Sequence, residues 1–418
     1  MMLNDFFEMN EVEKHERLKN MENLICIGDN LEIMKSDILN DYKHKIKFIY
    51  IDPPYNTLTK KSYNDKTDSN DWEKFMYDRI YQSKQFLTKD GVIFISIDDN
   101  EYATLKIICD NIFKKENFVG TFITKQSQRS NAKHINTIHE YILCYTNNKK
   151  ILQPFKISRL EIPEDRDLIL NLSKDIKNLF NLYGREQAEK ELRNKIKKIC
   201  LDYNITWIKN YSNVDENGKI FFAVDLSTPS NPREVHIEEI NLHLPSLKTR
   251  GWTTDERFIE LHNNNRLVFK SGRPYCKLYL EESTNNCPSC LNFFSRQGTK
   301  ELKKLGLDGI FDTPKPTELI KFLIRISTQK DDIVMDYFAG SGTTAQAVYE
   351  LNEEDDRNNS YILIQLDEKM NEDTECYRKC KELGIKPSVD EVLFFRINRF
   401  LENNNKQSDY RVEYLERK

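Results

Sequence analysis

A chain of 418 residues, 39% hydrophobic and 31% charged, can bury a sizeable core and is long for one domain, which predicts a catalytic domain carrying one substantial insertion. Its mean hydropathy of −0.68 and the lack of any apolar run near the ~18 residues a bilayer requires exclude a membrane-spanning protein, and the charged opening stretch reads as no export signal. A net charge of −4 excludes a uniformly basic nucleic-acid coat, yet phosphate contact needs only one basic face, and residues 151–310 hold 25 Lys and Arg against 22 Asp and Glu.

In chain order, short runs rich in Ile, Val, Phe and Tyr read as buried strands at residues 24–28, 46–52, 92–98, 141–145, 333–338 and 361–367. Helical patterns at 31–38, 72–87 and 343–351 alternate with them. This alternation predicts an α/β fold, a Rossmann-like doubly wound sheet of the seven-stranded type. It stops near Asn147 and resumes near Thr313. Between them, Ile169, Leu172, Ile176, Leu179, Phe180 and Tyr183 keep helical spacing, as do Ala188, Leu192, Ile196, Ile199 and Cys200. Gly184 separates the two stretches, which predicts a helical hairpin. Partly β-like sequence follows, with a turn at 215–218. The expected division is a first catalytic half at 1–150, an inserted α+β module at 151–310 and a second half at 311–418.

Two constellations carry chemistry. The first, Phe48-Ile49-Tyr50-Ile51-Asp52-Pro53-Pro54-Tyr55, is a buried strand entering a turn whose prolines fix φ and remove two N–H groups. Methylation of an aromatic amine asks for such a place. The amine nitrogen becomes nucleophilic only as it moves toward sp³, and acceptors for its N–H groups, the Asp52 carboxylate and Pro53 carbonyl, stabilise that change. Tyr55 offers a flat face for a base extruded from the duplex. The second, Asp336-Tyr337-Phe338-Ala339-Gly340-Ser341-Gly342-Thr343-Thr344, closes a strand and opens a helix. Gly340 and Gly342 let the backbone approach a ligand at the helix N-terminus. No Lys follows the second glycine, which argues against a phosphate loop. A flavin or nicotinamide site would leave Asp52–Tyr55 unexplained.

Together these motifs resemble the DNA amino-methyltransferases, with their Asp-Pro-Pro-Tyr and Phe-x-Gly-x-Gly motifs. The order, catalytic motif, long insertion, cofactor motif, resembles the β group. NLICIGDNLEIM (23–34), GVIFISIDDNE (91–101), HEYILCY (139–145), TRGWT around Trp252, FDTPKPTEL (311–319) and YILIQLDE (361–368) extend the likeness to Mod subunits of Type III restriction–modification systems. The resemblance implies transfer of a methyl group from S-adenosyl-L-methionine to adenine N6 of double-stranded DNA, with base flipping, by a cytoplasmic homodimer that can serve a restriction helicase–nuclease subunit. Asp52, in place of Ser, favours adenine over cytosine N4; a recognition subunit serving mainly the nuclease is the other alternative. Asp52, Pro53, Pro54 and Tyr55 become the catalytic set. Thr313, Lys315 and Pro316 are expected at the methionine end of the cofactor, and Asp336, Phe338, Ala339, Gly340, Gly342 and Thr343 along its loop. Asp29 is expected near the adenosine half. The ribose position holds Gln365, with Asp367 or Glu368 as its substitutes. The 151–310 module would be the target-recognition domain.

For DNA contact, Lys125, Arg129 and Lys133 precede a core strand, and Lys248, Arg250, Arg266, Lys270 and Arg273 cluster around Trp252, a pattern suited to phosphate clamping beside an aromatic wedge. Cys276, Cys287 and Cys290 with His262 have a zinc-like look, but the nine Cys of the chain form no framework and read as free thiols, so no metal is expected.

Overall fold

The computed structural model describes residues 22–57, 69–125 and 134–415; Arg129 and Lys133 lie outside the described residues. The six apolar runs are strands, and three further strands join them: in chain order β1 (Asn23–Ile27), β2 (Ile46–Ile51), β3 (Leu87–Ile97), β4 (Phe118–Lys125), β5 (His139–Thr146), β6 (Cys290–Phe294), β7 (Ile333–Asp336), β8 (Ser360–Gln365) and β9 (Tyr410–Tyr414). Every residue of β2 and β7 is buried, which is why apolar residues predominate over alternation there, with the buried Lys47 paired to Asp90: both faces of the sheet are covered. The strands form one sheet in the order β6-β4-β5-β3-β2-β7-β8-β1-β9. All run parallel except β5, which is antiparallel to β3 and β4. The doubly wound α/β architecture is therefore present with nine strands, not seven, because β6 and β9 are added at the two edges.

Helices α1 (Asn30–Lys35), α2 (Ser69–Ser83), α3 (Tyr102–Phe113), α4 (Arg296–Lys304), α5 (Thr317–Ser327), α6 (Thr343–Glu354), α7 (Glu375–Glu382) and α8 (Val389–Asn403) complete this unit. α2 links β2 to β3 and α6 links β7 to β8, so the chain winds away in opposite directions from the adjacent pair β2 and β7. Their carboxyl ends bound the crevice that such a reversal opens.

Lys156–Asn286 folds as a second compact unit. The insertion is thus shorter than the expected 151–310. Residues 287–310 belong with the sheet, where β6 pairs with β4 and the Ile123 N–H donates to the Ser289 carbonyl at 2.8 Å. The insertion begins and ends with neighbouring antiparallel strands, Lys156–Ser158 and Thr284–Asn286. Its helix Pro163–Asp202 is broken at Gly184, where φ is 78° and ψ −178°. Lys195 Nζ reaches Asp175 Oδ2 at 2.7 Å, a contact that twenty residues of straight helix, ~30 Å long, would forbid; the segment is the expected hairpin. Ile169, Leu172, Ile176, Ala188, Leu192 and Ile196 form its shared core. A four-stranded antiparallel sheet, Leu267–Lys270, Arg273–Tyr279, Ile220–Asp225 and Asn213–Val214, follows.

The Gly184 conformation is open almost only to glycine. Gly184→Ala, although a Cβ there would meet nothing within 4 Å, is expected to destabilise this unit by about 1–3 kcal/mol. Urea denaturation followed by circular dichroism checks it; unchanged stability would show that the hairpin does not depend on this backbone geometry.

Candidate active site

Asp52 leaves the buried end of β2 and the two prolines stiffen the turn behind it. Trp72, fully buried on α2, donates Nε1–H to the Pro54 carbonyl at 2.7 Å. Asn56 takes a left-handed φ of 57° and donates Nδ2–H to Glu101 at 2.9 Å. These contacts fix where Asp52 and Tyr55 point.

Lys315, from the segment before α5, closes the corner. Its Nζ donates to the Tyr55 hydroxyl and to Glu140 Oε2, both at 2.8 Å, and lies 3.2 Å from Asp52 Oδ1. Burial alone would lower the lysine's pKa; the Asp52 and Glu140 carboxylates outweigh it and hold the ammonium well above its usual range. The Asp52 contact is an ion pair to its buried Oδ1, and the Tyr55 hydroxyl also bears on the Asp52 carboxylate. Burial, reinforced by Asp52 and Glu140, pushes the Tyr55 phenol well above its ordinary value, so it stays protonated. The ring is no open platform. It is 7% exposed, and Lys315 Nζ sits 5.0 Å from its centroid. The hydroxyl, which would be idle in a stacking role, carries contacts to Lys315 and, at 3.5 Å, Glu140.

Next to this corner, β7 ends in the glycine loop. Asp336 is buried; Oδ1 accepts the Phe338 N–H at 3.0 Å and Oδ2 the Thr344 hydroxyl at 2.6 Å. Gly340 and Gly342 take φ of 54° and 81°, and a Cβ on Gly340 would sit 3.3 Å from the Phe311 ring. The Gly340 N–H donates to Gln365 Oε1 at 2.8 Å, and Gln365 Nε2–H to the Leu366 carbonyl at 3.0 Å. Gln365, expected at the cofactor ribose, therefore braces the loop. Asp29 caps α1 by accepting the Leu31 and Glu32 N–H groups, and pairs with Arg79 at 2.7 Å. The Gly28 N–H bonds the Gln365 carbonyl at 2.9 Å, so Asp29 and Gln365 end neighbouring strands. Phe338 packs on Phe75 with centroids 6.1 Å apart. Thr313 is exposed and Asp367 half-buried.

Three supports were not legible in the sequence. Glu140 lies inside the HEYILCY segment but has no motif of its own. Arg396 of α8 is fully buried and donates to Ser341 (2.9 Å), Thr343 (2.6 Å), Gln346 (3.1 Å) and Thr317 (3.3 Å); burial lowers its pKa to about 10. Glu301 Oε2 accepts the N–H and hydroxyl of Thr317 at 2.9 and 2.6 Å. Arg396 thereby ties the glycine loop to the helix that starts after Lys315-Pro316.

Lys125 is exposed at the end of β4, opposite His139. In the insertion, Lys248 is exposed, and Arg250, also exposed, donates to the Ser227 hydroxyl and carbonyl at 2.9 and 2.8 Å. The aromatic wedge is overturned: Trp252 is 4% exposed, donates Nε1–H to the Pro245 carbonyl at 2.9 Å and belongs to the unit's core. Arg266 is held by both oxygens of Glu282, and Arg273 by Asp225 at 2.9 Å. Lys270 donates to Asn213. A Cβ on Gly251 would lie 2.4 Å from the Asn231 carbonyl oxygen, so glycine at this position answers a close backbone approach.

Burial raises the Asp336 carboxyl from 3.8 to about 7. The folded state then binds a proton that the unfolded chain has released, so this group's contribution is present below 3.8 and is lost as pH rises toward 7. Asp336→Asn, which keeps one acceptor for Phe338 and faces a hydroxyl able to accept, is expected to flatten the decline in stability across that window. Urea titrations of both proteins at pH 4.5 and 7.5 check it; parallel declines would mean that Asp336 does not titrate there.

A family model described as DNA methylase (N6_N4_Mtase) matches residues 46–375. The Type III restriction-modification enzyme EcoP15I Mod subunit of Escherichia coli is 29% identical over 406 residues, covering 85% of this chain and 60% of that one. The EcoPI Mod subunit of Escherichia phage P1 is 30% identical over 444 residues, covering 95% and 65%, and Type II methyltransferase M.KpnI of Klebsiella pneumoniae 27% over 380, covering 86% and 84%. The chain thus spans less than two thirds of the length of those two Mod subunits. The matched family segment takes in the Asp52–Tyr55 turn, Glu140, Lys315 and the whole Asp336–Thr344 loop, and on that footing the chain belongs to the DNA methylase family.

Proposed function

We propose that this protein is a site-specific DNA methyltransferase that methylates adenine N6 and supplies the modification activity of a restriction–modification system. The observation that carries the reading is the Asp52 carboxylate, its side chain 28% exposed and fixed in direction by Lys315, at the carboxyl end of β2 beside the glycine loop that ends β7. A partly exposed carboxylate there is complementary to a donor brought by a substrate. Two N–H groups on one amine match the Asp52 carboxylate and the Pro53 carbonyl. As the nitrogen moves toward sp³ both acceptors bind it more strongly, so the interaction favours the transition state over the bound amine. Asp in place of Ser at position 52 favours the adenine amine, in line with the resemblance. Lys315 fixes the carboxylate's direction, and Tyr55 brings ring and hydroxyl to the same corner.

S-adenosyl-L-methionine fits the adjoining loop. Two glycines at positive φ let backbone lie against a ligand, and the Phe338 ring walls it. The residues that would hold it are Phe338, Ala339, Gly340 and Thr343 on the loop, Pro316 near its methionine end and Asp29 or Asp367 near its adenosine half. When bound it supplies an electrophilic methyl carbon on a sulfonium. Gln365 and Asp336 act on that site through the loop, holding its backbone in place. The Lys156–Asn286 insertion is the proposed target-recognition unit, since the core already contains both chemical sites and sequence reading is the task left over.

Asp52→Ala is expected to lower methyl transfer on the order of 100-fold or more while leaving cofactor affinity intact. Radiolabel transfer to duplex DNA and calorimetry measure the two, and methylome sequencing of cells expressing the wild type identifies the modified atom. Activity within a few-fold of wild type would remove Asp52 from the chemistry; N4-methylcytosine would replace adenine as the target. Because Arg266 and Arg273 already hold acidic partners, charge reversal at Lys248 and Arg250 is the sharper test of the insertion. It should weaken DNA binding and reduce its salt slope by about one for each phosphate no longer neutralised, with no change in cofactor affinity. Unaltered salt dependence would place the DNA on another surface.

A further inference from the structure

The Arg396 side chain on α8 is fully buried, and burial lowers its pKa only to about 10, so the guanidinium is charged at neutral pH. A buried charge ordinarily meets a carboxylate in direct hydrogen bonds. Here the ion-pair partner among the described residues, Glu301 Oε2, stands 3.9 Å away. The guanidinium donates instead to four neutral oxygens: Thr343 at 2.6 Å, Ser341 at 2.9 Å, the Gln346 amide at 3.1 Å and Thr317 at 3.3 Å. As a stabiliser of the fold this is a poor arrangement, since a well-packed apolar side chain of similar volume avoids the desolvation cost. The four acceptors differ in what else holds them. Thr317 is fixed independently, because Glu301 Oε2 accepts its N–H at 2.9 Å and its hydroxyl at 2.6 Å. For the hydroxyls of Ser341 and Thr343, Arg396 is the partner that the described residues supply.

We infer that Arg396 is a positioning residue for the cofactor: it fixes Ser341 and Thr343, and through them the backbone of the glycine loop against which S-adenosyl-L-methionine is bound. Ser341 lies between Gly340 and Gly342, whose φ values are 54° and 81°, so a bond at Ser341 restrains the turn at its centre. Thr343 is the first residue of α6, and a bond there sets where the helix begins. Asp336 and Gln365 hold the loop at Phe338 and Gly340, and Arg396 holds the half that follows. A loop already ordered before the ligand arrives loses less freedom on binding, so the effect of Arg396 falls on cofactor affinity. The methyl-transfer step is spared, because the segment after Lys315 keeps its bonds to Glu301 when Arg396 is gone. The inference rests on the reading of this loop as the cofactor site.

The test compares the full chain with Arg396→Met and Arg396→Lys. By calorimetry with S-adenosyl-L-methionine, Arg396→Met should raise Kd about 10- to 100-fold, the worth of a charged hydrogen bond. Arg396→Lys should fall between it and wild type, because one ammonium cannot span the acceptors that the guanidinium fork reaches. On a duplex carrying the site that methylome sequencing identifies, the change should sit in the cofactor KM. The single-turnover rate at saturating cofactor should drop by no more than about 3-fold. Without cofactor, amide hydrogen exchange at residues 338–344 should quicken about 10-fold or more in Arg396→Met. Should that variant fail to fold, Ser341→Ala removes one acceptor and keeps the guanidinium; it should raise Kd about 3- to 10-fold alone. Added to Arg396→Lys, it should raise Kd by less than about 2-fold further, because the two residues share one interaction. A folded Arg396→Met with wild-type cofactor affinity, whatever its melting temperature, overturns the positioning role, as does a loss confined to the single-turnover rate. If wild-type protein binds no S-adenosyl-L-methionine, the cofactor reading of the loop falls instead, and the exchange comparison still decides whether Arg396 holds the loop.

Discussion

One buried ammonium organises this molecule's chemistry. Taking a lysine charge out of water is costly, and the cost is offset only where opposite charges and hydrogen-bond acceptors surround it. Lys315 finds them on segments far apart in sequence: Asp52 and Tyr55 after β2, and Glu140 on β5. The requirement acts in both directions. The lysine cannot sit there without the acids, and two carboxylates this close repel unless a cation lies between them. Asp52 is thereby held at the mouth of the crevice by an interaction that fixes its direction.

A second consequence follows for the glycine loop. A turn with two residues at positive φ persists only when its surroundings over-determine it. Asp336 holds the Phe338 N–H and Thr344 hydroxyl, Gln365 holds the Gly340 N–H, and Arg396 holds Ser341 and Thr343. Side chains that a motif suggests as ligand contacts are therefore committed to the loop itself. What the loop leaves uncommitted is its backbone shape, the Phe338 ring and the start of α6, and the amide at position 365 serves the loop itself. A Gln there donates as well as accepts, and both capacities are used, toward Gly340 and Leu366.

The parts legible in the sequence share a physical origin. β2, β7 and β8 are mostly apolar because they are covered on both faces, with Lys47, paired to Asp90, the polar exception inside β2, and the Asp52 turn announces itself by two prolines. Gly184 breaks a clear helical period. The misses have equally definite causes. β6 and β9 are edge strands with mostly exposed or half-exposed residues: Asn292 interrupts the apolar residues of β6, and β9 alternates over only five residues. α5 buries Lys321 along with its apolar residues, so a charge interrupts the stripe that would mark it. Glu140 and Arg396 act at separations of 175 and up to 79 residues from their partners, beyond any local pattern. Trp252 shows the opposite error: cations adjacent in sequence suggested a surface aromatic, whereas its indole N–H had a backbone carbonyl to satisfy inside a small core, the usual condition for burying a tryptophan.

The root of the insertion shows how a long segment can be carried without opening the sheet. The Cys287 N–H donates to the Phe155 carbonyl at 3.2 Å, and beyond it Lys156–Ser158 pairs with Thr284–Asn286. The 131 residues of Lys156–Asn286 therefore leave and return through adjacent strands. Loop-closure entropy grows only slowly with the length enclosed, and the closing strands carry their own hydrogen bonds. Changes in the size or surface of the insertion need not be felt at Asp52, Lys315 or the glycine loop. The groups around Lys315 and those that hold the glycine loop are set entirely within the sheet-bearing unit, on either side of the insertion in sequence.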